Sequence, residues 1–257
     1  MSDVSRLDRR VAVVIPARDE SARIAETVRA AKAIPYVDLV LVVDDGSSDD
    51  TQDVARNAGA TVVRHSHNRG RAAALETGAA VVAMRDVPDH PSRALLFLDA
   101  GLAGTAVNCA PLVEPVLLGE VDVAIALAPL GQRGIGYVGQ VARDGIQRLT
   151  GWVPSQPLAS RRCLTREAFE EATPLARGAG LEVGMTIDLL RAGRKFREIP
   201  CDLKSPRYSR GLVGRMQRSR EVREIRMVLL SRGLAGLSGK LGGLLSKPDP
   251  KRRRLPQ

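Results

Sequence analysis

The sequence predicts an α/β fold: a mostly parallel sheet flanked by helices, followed by a basic C-terminal helix and a disordered tail. Three observations predict it. The first is Leu95-Leu96-Phe97-Leu98, an unbroken apolar run that stops abruptly at Asp99-Ala100-Gly101. Such a run reads as a parallel strand buried on both faces, and its carboxyl end delivers Asp99 to the crevice where open α/β sheets bind ligands. The second is three strand–loop–helix units packed into fewer than a hundred residues, the pattern of a doubly wound sheet. The third is charge: of 39 Lys/Arg and 29 Asp/Glu in the 257 residues, 19 and 5 fall in 191–257, leaving 20 and 24 for the rest. The body is slightly acidic and the C-terminal part strongly basic.

Taken in order, Val11-Ala-Val-Val-Ile15 is the first strand, stopped by Pro16. The loop 16–20 feeds a helix over 21–32 that Ser21 is placed to cap, with Ile24, Ala25, Val28 and Ala31 on one apolar face. Strand 39–43 runs into Asp44-Asp45-Gly46-Ser47-Ser48-Asp49-Asp50-Thr51, a turn opening a helix to about Ala58, with Ser48 or Asp49 as cap. Strand 60–64 follows, then a helix from Ala72 to Met84 opened by Asn68-Arg69-Gly70-Arg71, then strand 95–98. Beyond Asp99 the pattern gives a helix over 106–118, a strand over 121–127, a glycine-rich loop at 131–136 and a helix over 137–150. An irregular stretch, 151–160, leads past Cys163 to a helix that Thr165 is placed to cap. Gly178-Ala-Gly180 opens a helix over 181–191, then come a short strand at 196–199 and a long amphipathic helix over 212–230. From Gly233 the chain is expected to be disordered.

Composition narrows the function. Hydrophobic content of 44% with 26% charged is ordinary for a globular protein, and 3% aromatics argue against a stacking platform for single-stranded nucleic acid. The basic C-terminal part suits an anionic partner such as a phospholipid surface, with no specific nucleic-acid recognition implied. No G-x-G-x-x-G follows the first strand and no Walker A lysine loop is present, so dinucleotide oxidoreductase and P-loop readings lose ground. Cys109, Cys163 and Cys201 have neither disulfide-framework nor zinc spacing and fit a reducing compartment. His65-Ser66-His67 resembles a metal pair only superficially. No apolar run approaches the ~20 residues of a bilayer span, and no signal-peptide core precedes residue 11. The expectation is a cytoplasmic protein, at most peripheral on the inner face of the plasma membrane.

Four motifs together carry a resemblance: Val14-Ile-Pro-Ala-Arg-Asp-Glu20, Val42-Val-Asp-Asp-Gly-Ser-Ser-Asp-Asp-Thr51, Asn68-Arg-Gly-Arg-Ala-Ala-Ala74 and Leu98-Asp-Ala-Gly-Leu102. All four stand at strand ends and in order, and the chain resembles the family 2 glycosyltransferases of GT-A (Rossmann-like) fold. Gly178-Ala-Gly-Leu-Glu-Val-Gly-Met-Thr-Ile-Asp188 resembles the actinobacterial branch that includes glucosyl-3-phosphoglycerate synthase. The dolichyl-phosphate mannosyltransferase-like enzymes share the first half equally well.

The resemblance implies a hexose moved from a UDP- or GDP-sugar to a phosphorylated small molecule or a polyprenyl phosphate. It places Pro16, Ala17 and Glu20 around base and ribose, Asp45 on the base imide, and Gly70 with Arg71 beside the nucleotide. Asp99 would bind ribose and a divalent Mg²⁺ or Mn²⁺ on the diphosphate, and Glu182 stands at the position of the relatives' active-site glutamate. Arg161, Arg162 and Arg207 are the candidate acceptor or phosphate groups. It divides the chain into an extension (1–10), a nucleotide-sugar half (11–127), an acceptor half of the same domain (128–210), the basic helix (211–232) and the tail (233–257).

Three positions depart from the family pattern. Gly101 stands where the D-x-D motif has its second carboxylate, Pro206 stands where a histidine often completes the metal sphere, and Ala159-Ser160-Arg161-Arg162 replaces a Ser-Gly-Gln-Arg-like acceptor loop. Two readings stay open: a transferase in which arginine replaces the metal's charge, and a degenerate module that binds nucleotide, membrane or a protein partner without turnover.

Overall fold

Val11–Ala17 (β1), Val37–Asp44 (β2), Thr61–Arg64 (β3) and Ala94–Phe97 (β4) pair in parallel in a computed structural model that describes residues 9–88, 90–129, 134–203 and 212–245. Their crossovers are Ser21–Lys32 (α1), Thr51–Asn57 (α2) and Arg71–Ala83 (α3). A 3-10 segment, Ala100–Leu112, leads to Val113–Leu117 (α4) and Val123–Leu127 (β5). Then come Gly136–Thr150 (α5), Arg162–Leu164 (β6), Arg166–Ala172 (α6), Leu181–Arg191 (α7), Phe196–Pro200 (β7) and Leu212–Leu245 (α8). The seven strands form one sheet in the order β3-β2-β1-β4-β6-β5-β7, in which β6 alone runs antiparallel to both its neighbours.

The pleat sends alternate side chains of β1 to opposite layers. Val11, Val13 and Ile15 pack with Ile24, Val28 and Ala31 of α1, while Ala12 and Val14 pack with Ala72, Leu75, Ala79 and Val82 of α3. Burial on both faces is why these strands are continuous apolar runs. A third cluster joins α5 (Val138, Ala142, Ile146), α7 (Val183, Ile187) and α8 (Val222, Ile225). It roots the basic helix on the body. Gly180 makes the approach possible, because a Cβ there would run into the Val228 side chain.

Several expectations are corrected. β1 does not stop at Pro16 but continues to Ala17, paired with Val43 and Asp44 of β2. Pro16 lies on the side of Val14, toward β4, whose pairing ends at Phe97, so no ladder donor is missed. Ser21 is not a cap but the first residue of α1, and its N–H donates to Asp49 Oδ2 (3.1 Å). Neither Ser48 nor Asp49 caps α2 from the N-cap position, which Asp50 occupies. Asp49 instead accepts from the Thr51 N–H (3.0 Å) in a local turn. The helix over 106–118 is a 3-10 segment starting at Ala100, with Ala103 at positive φ and Pro111 inside it, before the short α4. Proline removes a ladder donor there and favours the tighter winding.

The strand β6 was not expected at all. Thr165 does cap α6, accepting from Ala168 N–H (3.2 Å). The helix predicted to end near residue 230 runs through Gly233 to Leu245. Leu230, Leu234, Leu237, Leu241 and Leu244 recur at spacings of three and four, a helical period that composition alone concealed. Residues 246–257 lie outside the described residues. One stretch, Ala100–Leu117, is long and apolar enough to cross a membrane by length and composition, against expectation. Its Leu102, Ala106, Cys109, Leu112, Val113 and Val116 belong to the core between sheet and α1.

Candidate active site

The loops at the carboxyl ends of β1 and β2 are laced together. Asp19 N–H donates to Ser47 Oγ (3.0 Å), Glu20 N–H to Thr51 Oγ1 (2.8 Å), and Ser48 donates from both N–H (2.8 Å) and Oγ (3.0 Å) to Asp19 Oδ1. With the Ser21–Asp49 bond, these contacts satisfy N–H groups that open α1 from outside the helix. The Thr51 hydroxyl first, then Ser21, holds the Asp49 carboxyl far below its usual range. Glu20, expected at the ribose, accepts from Arg23 Nε (3.0 Å) and Nη2 (2.8 Å). Pro16 and Ala17 line the end of β1 as expected, Ala17 O accepting from Asp45 N–H (2.8 Å).

Asp45 faces inward. Its Oδ1 accepts from Arg69 N–H (2.8 Å) and His65 Nδ1 (2.8 Å), and its Oδ2 from Gly70 N–H (2.8 Å). Burial opposes the charge, but these three donors outweigh it and leave the carboxyl below its ordinary value. The carboxylate therefore fixes the third loop, a role the resemblance did not imply for it. His65 also meets Thr77 Oγ1 through Nε2 (3.0 Å), so it is part of this internal network and not half of a metal pair. Gly46 lets the second loop touch the third: a Cβ there would lie 2.8 Å from His67 C and 2.9 Å from Asn68 N.

The third loop aims Arg71, the first residue of α3, at Asp99. Arg71 Nη1 donates to Asp99 Oδ1 (2.6 Å) and Nη2 to Ser160 O (3.2 Å), while Nε lies 3.5 Å from Glu182 Oε1. The other Asp99 oxygen accepts from Arg161 Nη1 (2.7 Å) and Ser160 Oγ (2.8 Å). Asp99 precedes the 3-10 segment but makes no capping bond, so its side chain is free for this cluster. Thr27 of α1 fixes that segment, donating to Ala100 O (2.6 Å) and accepting from Ala103 N–H (2.8 Å). Burial works against the Asp99 charge, yet Arg71 and Arg161 hold its carboxyl below the usual range. Glu182, in the first turn of α7, goes the other way: burial pushes it up, against the pull of Arg71 and Arg162.

Asp99, Glu182, Arg71 and Arg161, expected from the sequence in separate roles, are brought together by the fold, with Gly70 immediately before Arg71. Arg162 is a correction. It starts β6 on the face opposite Arg161, is 2% exposed, and spends Nε on Ala159 O (2.9 Å) and Nη1 on Thr186 Oγ1 (2.9 Å). Burial lowers its pKa to about 10, and it has no face toward an acceptor. Arg207, with Pro206, lies outside the described residues. Sequence reasoning missed Ser160 and Arg23. For Arg23 a signal existed in Glu20, three residues earlier, the spacing at which helical side chains meet.

The described residues do not fit a divalent cation. Mg²⁺ and Mn²⁺ need several oxygen or nitrogen ligands. Here Asp99 has both oxygens on guanidinium groups, Gly101 offers none, and no group of three His, Cys, Asp or Glu among the described residues could hold a metal. The three cysteines are free and buried in the same core layer.

The fold and this crevice define a GT-A glycosyltransferase, and residues 12–147 match the family model described as glycosyl transferase family 2: the chain belongs to that family. Among its relatives are glucosyl-3-phosphoglycerate synthase of Mycolicibacterium smegmatis, 29% identical over 210 residues (72% of this chain, 66% of the relative), and an uncharacterized protein of Methanocaldococcus jannaschii, 27% identical over 206 residues (77% and 82%). The chain spans 61% of the length of glycosyltransferase AglJ of Haloferax volcanii, with 26% identity. Glucosyl-3-phosphoglycerate synthase of Mycobacterium tuberculosis, solved with Mn²⁺, UDP and glucosyl-3-phosphoglycerate, superimposes with a TM-score of 0.71 at 26% identity, over 88% of this chain and 81% of that one.

Proposed function

We propose that the protein transfers a hexose from a UDP-sugar to a phosphorylated small molecule of the phosphoglycerate type. The observation that carries this is the Asp99–Arg71–Arg161–Glu182 cluster at the carboxyl end of β4, inside a fold shared with a UDP-dependent synthase. Pro16, Ala17 and the laced first loop receive the base and ribose. Gly70, at positive φ with open space above it, lets the nucleotide approach the backbone. Asp99 orients the clamp of guanidinium groups, and Glu182 stands beside the reacting sugar. Arg161 and Arg207 take the phosphates.

A second reading of the acceptor rests on α8. Arg218, Arg220, Arg223 and Arg226 are exposed on it, as are Met227, Leu230 and Leu234. Basic and apolar groups together suit an anionic bilayer, and so a polyprenyl phosphate presented there, with the protein peripheral on the inner face of the membrane.

A transfer assay separates the readings. Purified protein is given radiolabelled UDP-glucose or GDP-mannose with 3-phosphoglycerate, or with polyprenyl phosphate in anionic vesicles. Label in a soluble phosphorylated product supports the first reading, and label in the lipid phase the second. Donor binding with no product from either acceptor favours the module without turnover, to which Gly101 points.

A further inference from the structure

The mismatch between the site and a metal has a positive content. We infer that Arg23, Arg71 and Arg161 form a guanidinium site for the diphosphate of a nucleoside diphosphate, in the place where the family carries a divalent cation. The inference rests on the nucleotide-sugar reading above and deepens it.

Gly101 locates the substitution. A Cβ built on it would lie 3.3 Å from Arg23 Cζ and 3.5 Å from each of its terminal nitrogens. A guanidinium therefore lies against the position from which the second carboxylate of a D-x-D motif would project. Glu20 holds Arg23 there through Nε and Nη2, which leaves Nη1 with no bond to any described residue. A carboxylate at 101 would have met a cation already in place.

Asp99 tells the same story from the other side. Its two oxygens receive Arg71 Nη1, Arg161 Nη1 and Ser160 Oγ. Guanidinium groups keep their charge at any accessible pH, so a cation approaching Asp99 meets two that cannot be neutralised by losing a proton. With Glu182 Oε1 3.5 Å from Arg71 Nε, two carboxylates face these two arginines, so what the cluster offers a diphosphate is fixed guanidinium N–H donors, not a surplus of charge.

Arg161 supplies the independent sign of an absent ligand. It is 6% exposed, and its Nε is buried with no hydrogen-bond partner among the described residues, whereas Arg71 Nε has Glu182 Oε1 at 3.5 Å. Buried donors left unpaired are uncommon and mark unfilled sites or strain. Guanidinium forks match phosphate oxygens in pairs, which a point cation does not require. The anchors are rigid: Arg23 in the first turn of α1, Arg71 at the start of α3, and Arg161 immediately before β6.

The test is calorimetric titration of the full chain with UDP and with UMP, in chelator and in Mn²⁺. The inference expects UDP to bind in chelator, with Mn²⁺ changing its Kd by less than about 3-fold. It also expects UDP to bind at least about 10-fold more tightly than UMP, since the second phosphate adds the oxygens that guanidinium forks pair with. Arg161→Gln should remove most of that UDP-over-UMP advantage. Because Arg161 is buried, Arg23→Gln, at an exposed side chain, is the companion variant and should reduce the advantage about 3-fold or more. Gly101→Asp should pair with Arg23 and weaken UDP in chelator.

UDP binding that appears only with Mn²⁺ overturns the inference and leaves the donor reading standing. An unchanged UDP-over-UMP ratio in a folded Arg23→Gln variant also overturns it. No binding of UDP or GDP under either condition overturns the nucleotide-sugar reading itself, and the guanidinium site with it.

Discussion

Asp45→Asn separates what the fold assigns to this residue from what family resemblance implies. The carboxylate accepts three bonds, from Arg69 N–H, Gly70 N–H and His65 Nδ1. Asparagine keeps one oxygen, which can serve Arg69 and His65, and turns an NH₂ toward the Gly70 N–H. Hydrogen bonds to a charged acceptor contribute about 1.5–3 kcal/mol each, and a buried donor facing another donor loses its bond outright. The substitution should therefore cost roughly 2–3 kcal/mol, or about 4–12 °C in Tm for a chain of this size. The loss should depend on pH. The folded carboxyl is held below its ordinary value, so its contribution is present above the unfolded pKa of about 3.9 and disappears as pH falls through the folded value. Parent and variant should differ at pH 7 and converge in acid. Thermal denaturation across pH, alongside UDP titration, reads both. An unchanged Tm at pH 7 with a large loss of UDP affinity would mean that Asp45 reads the base, and the inward geometry would be refuted.

Three further outcomes are expected. Thr165→Ala removes the side-chain cap of α6 and should cost about 1 kcal/mol without altering nucleotide binding; an unchanged urea midpoint would count against the cap. Gly180→Ala should destabilise by about 1–3 kcal/mol because its methyl meets Val228, and Val228→Ala in the same chain should recover part of the loss. Additive destabilisation in that double-mutant cycle would rule out the contact. Glu182→Gln should raise Tm at pH 7.5 while abolishing transfer. Burial pushes this carboxyl up, so its charged form costs stability once pH passes the unfolded value, and the gain should vanish below about pH 4. A gain that persists in acid would point to packing rather than charge.

The first half of the fold was legible because β1, β2 and β4, buried on both faces, are written as continuous apolar runs. The carboxyl end of β4 announced Asp99 for the same reason. β6 was not legible: three residues beginning with Arg162, preceded by another arginine, carry no strand period. Their burial depends on β4 and β5 closing around them. The internal bonds of Asp45 and Arg162 were not legible because their partners lie 20 to 25 residues away or on another element, and neither pattern nor spacing records them. The continued helix in α8 is hidden by its glycines, whose weak helical propensity masks the leucine spacing.

The placement of β6 also constrains how the chain can be made. β4 needs β6 along one edge, and β5 pairs only with β6 and β7 among the described strands. The ribosome delivers β4 well before that partner: the Asp99–Arg161 contact spans 62 residues. Until 162–164 emerge, the nascent sheet carries an open hydrogen-bonding edge beside its most apolar strand, the kind of edge that recruits other chains. A fragment ending at 127 would keep that edge permanently. The nucleotide half and the acceptor half are therefore names for parts of one folding unit, and cutting the gene between them should yield an aggregating piece instead of a donor-binding domain.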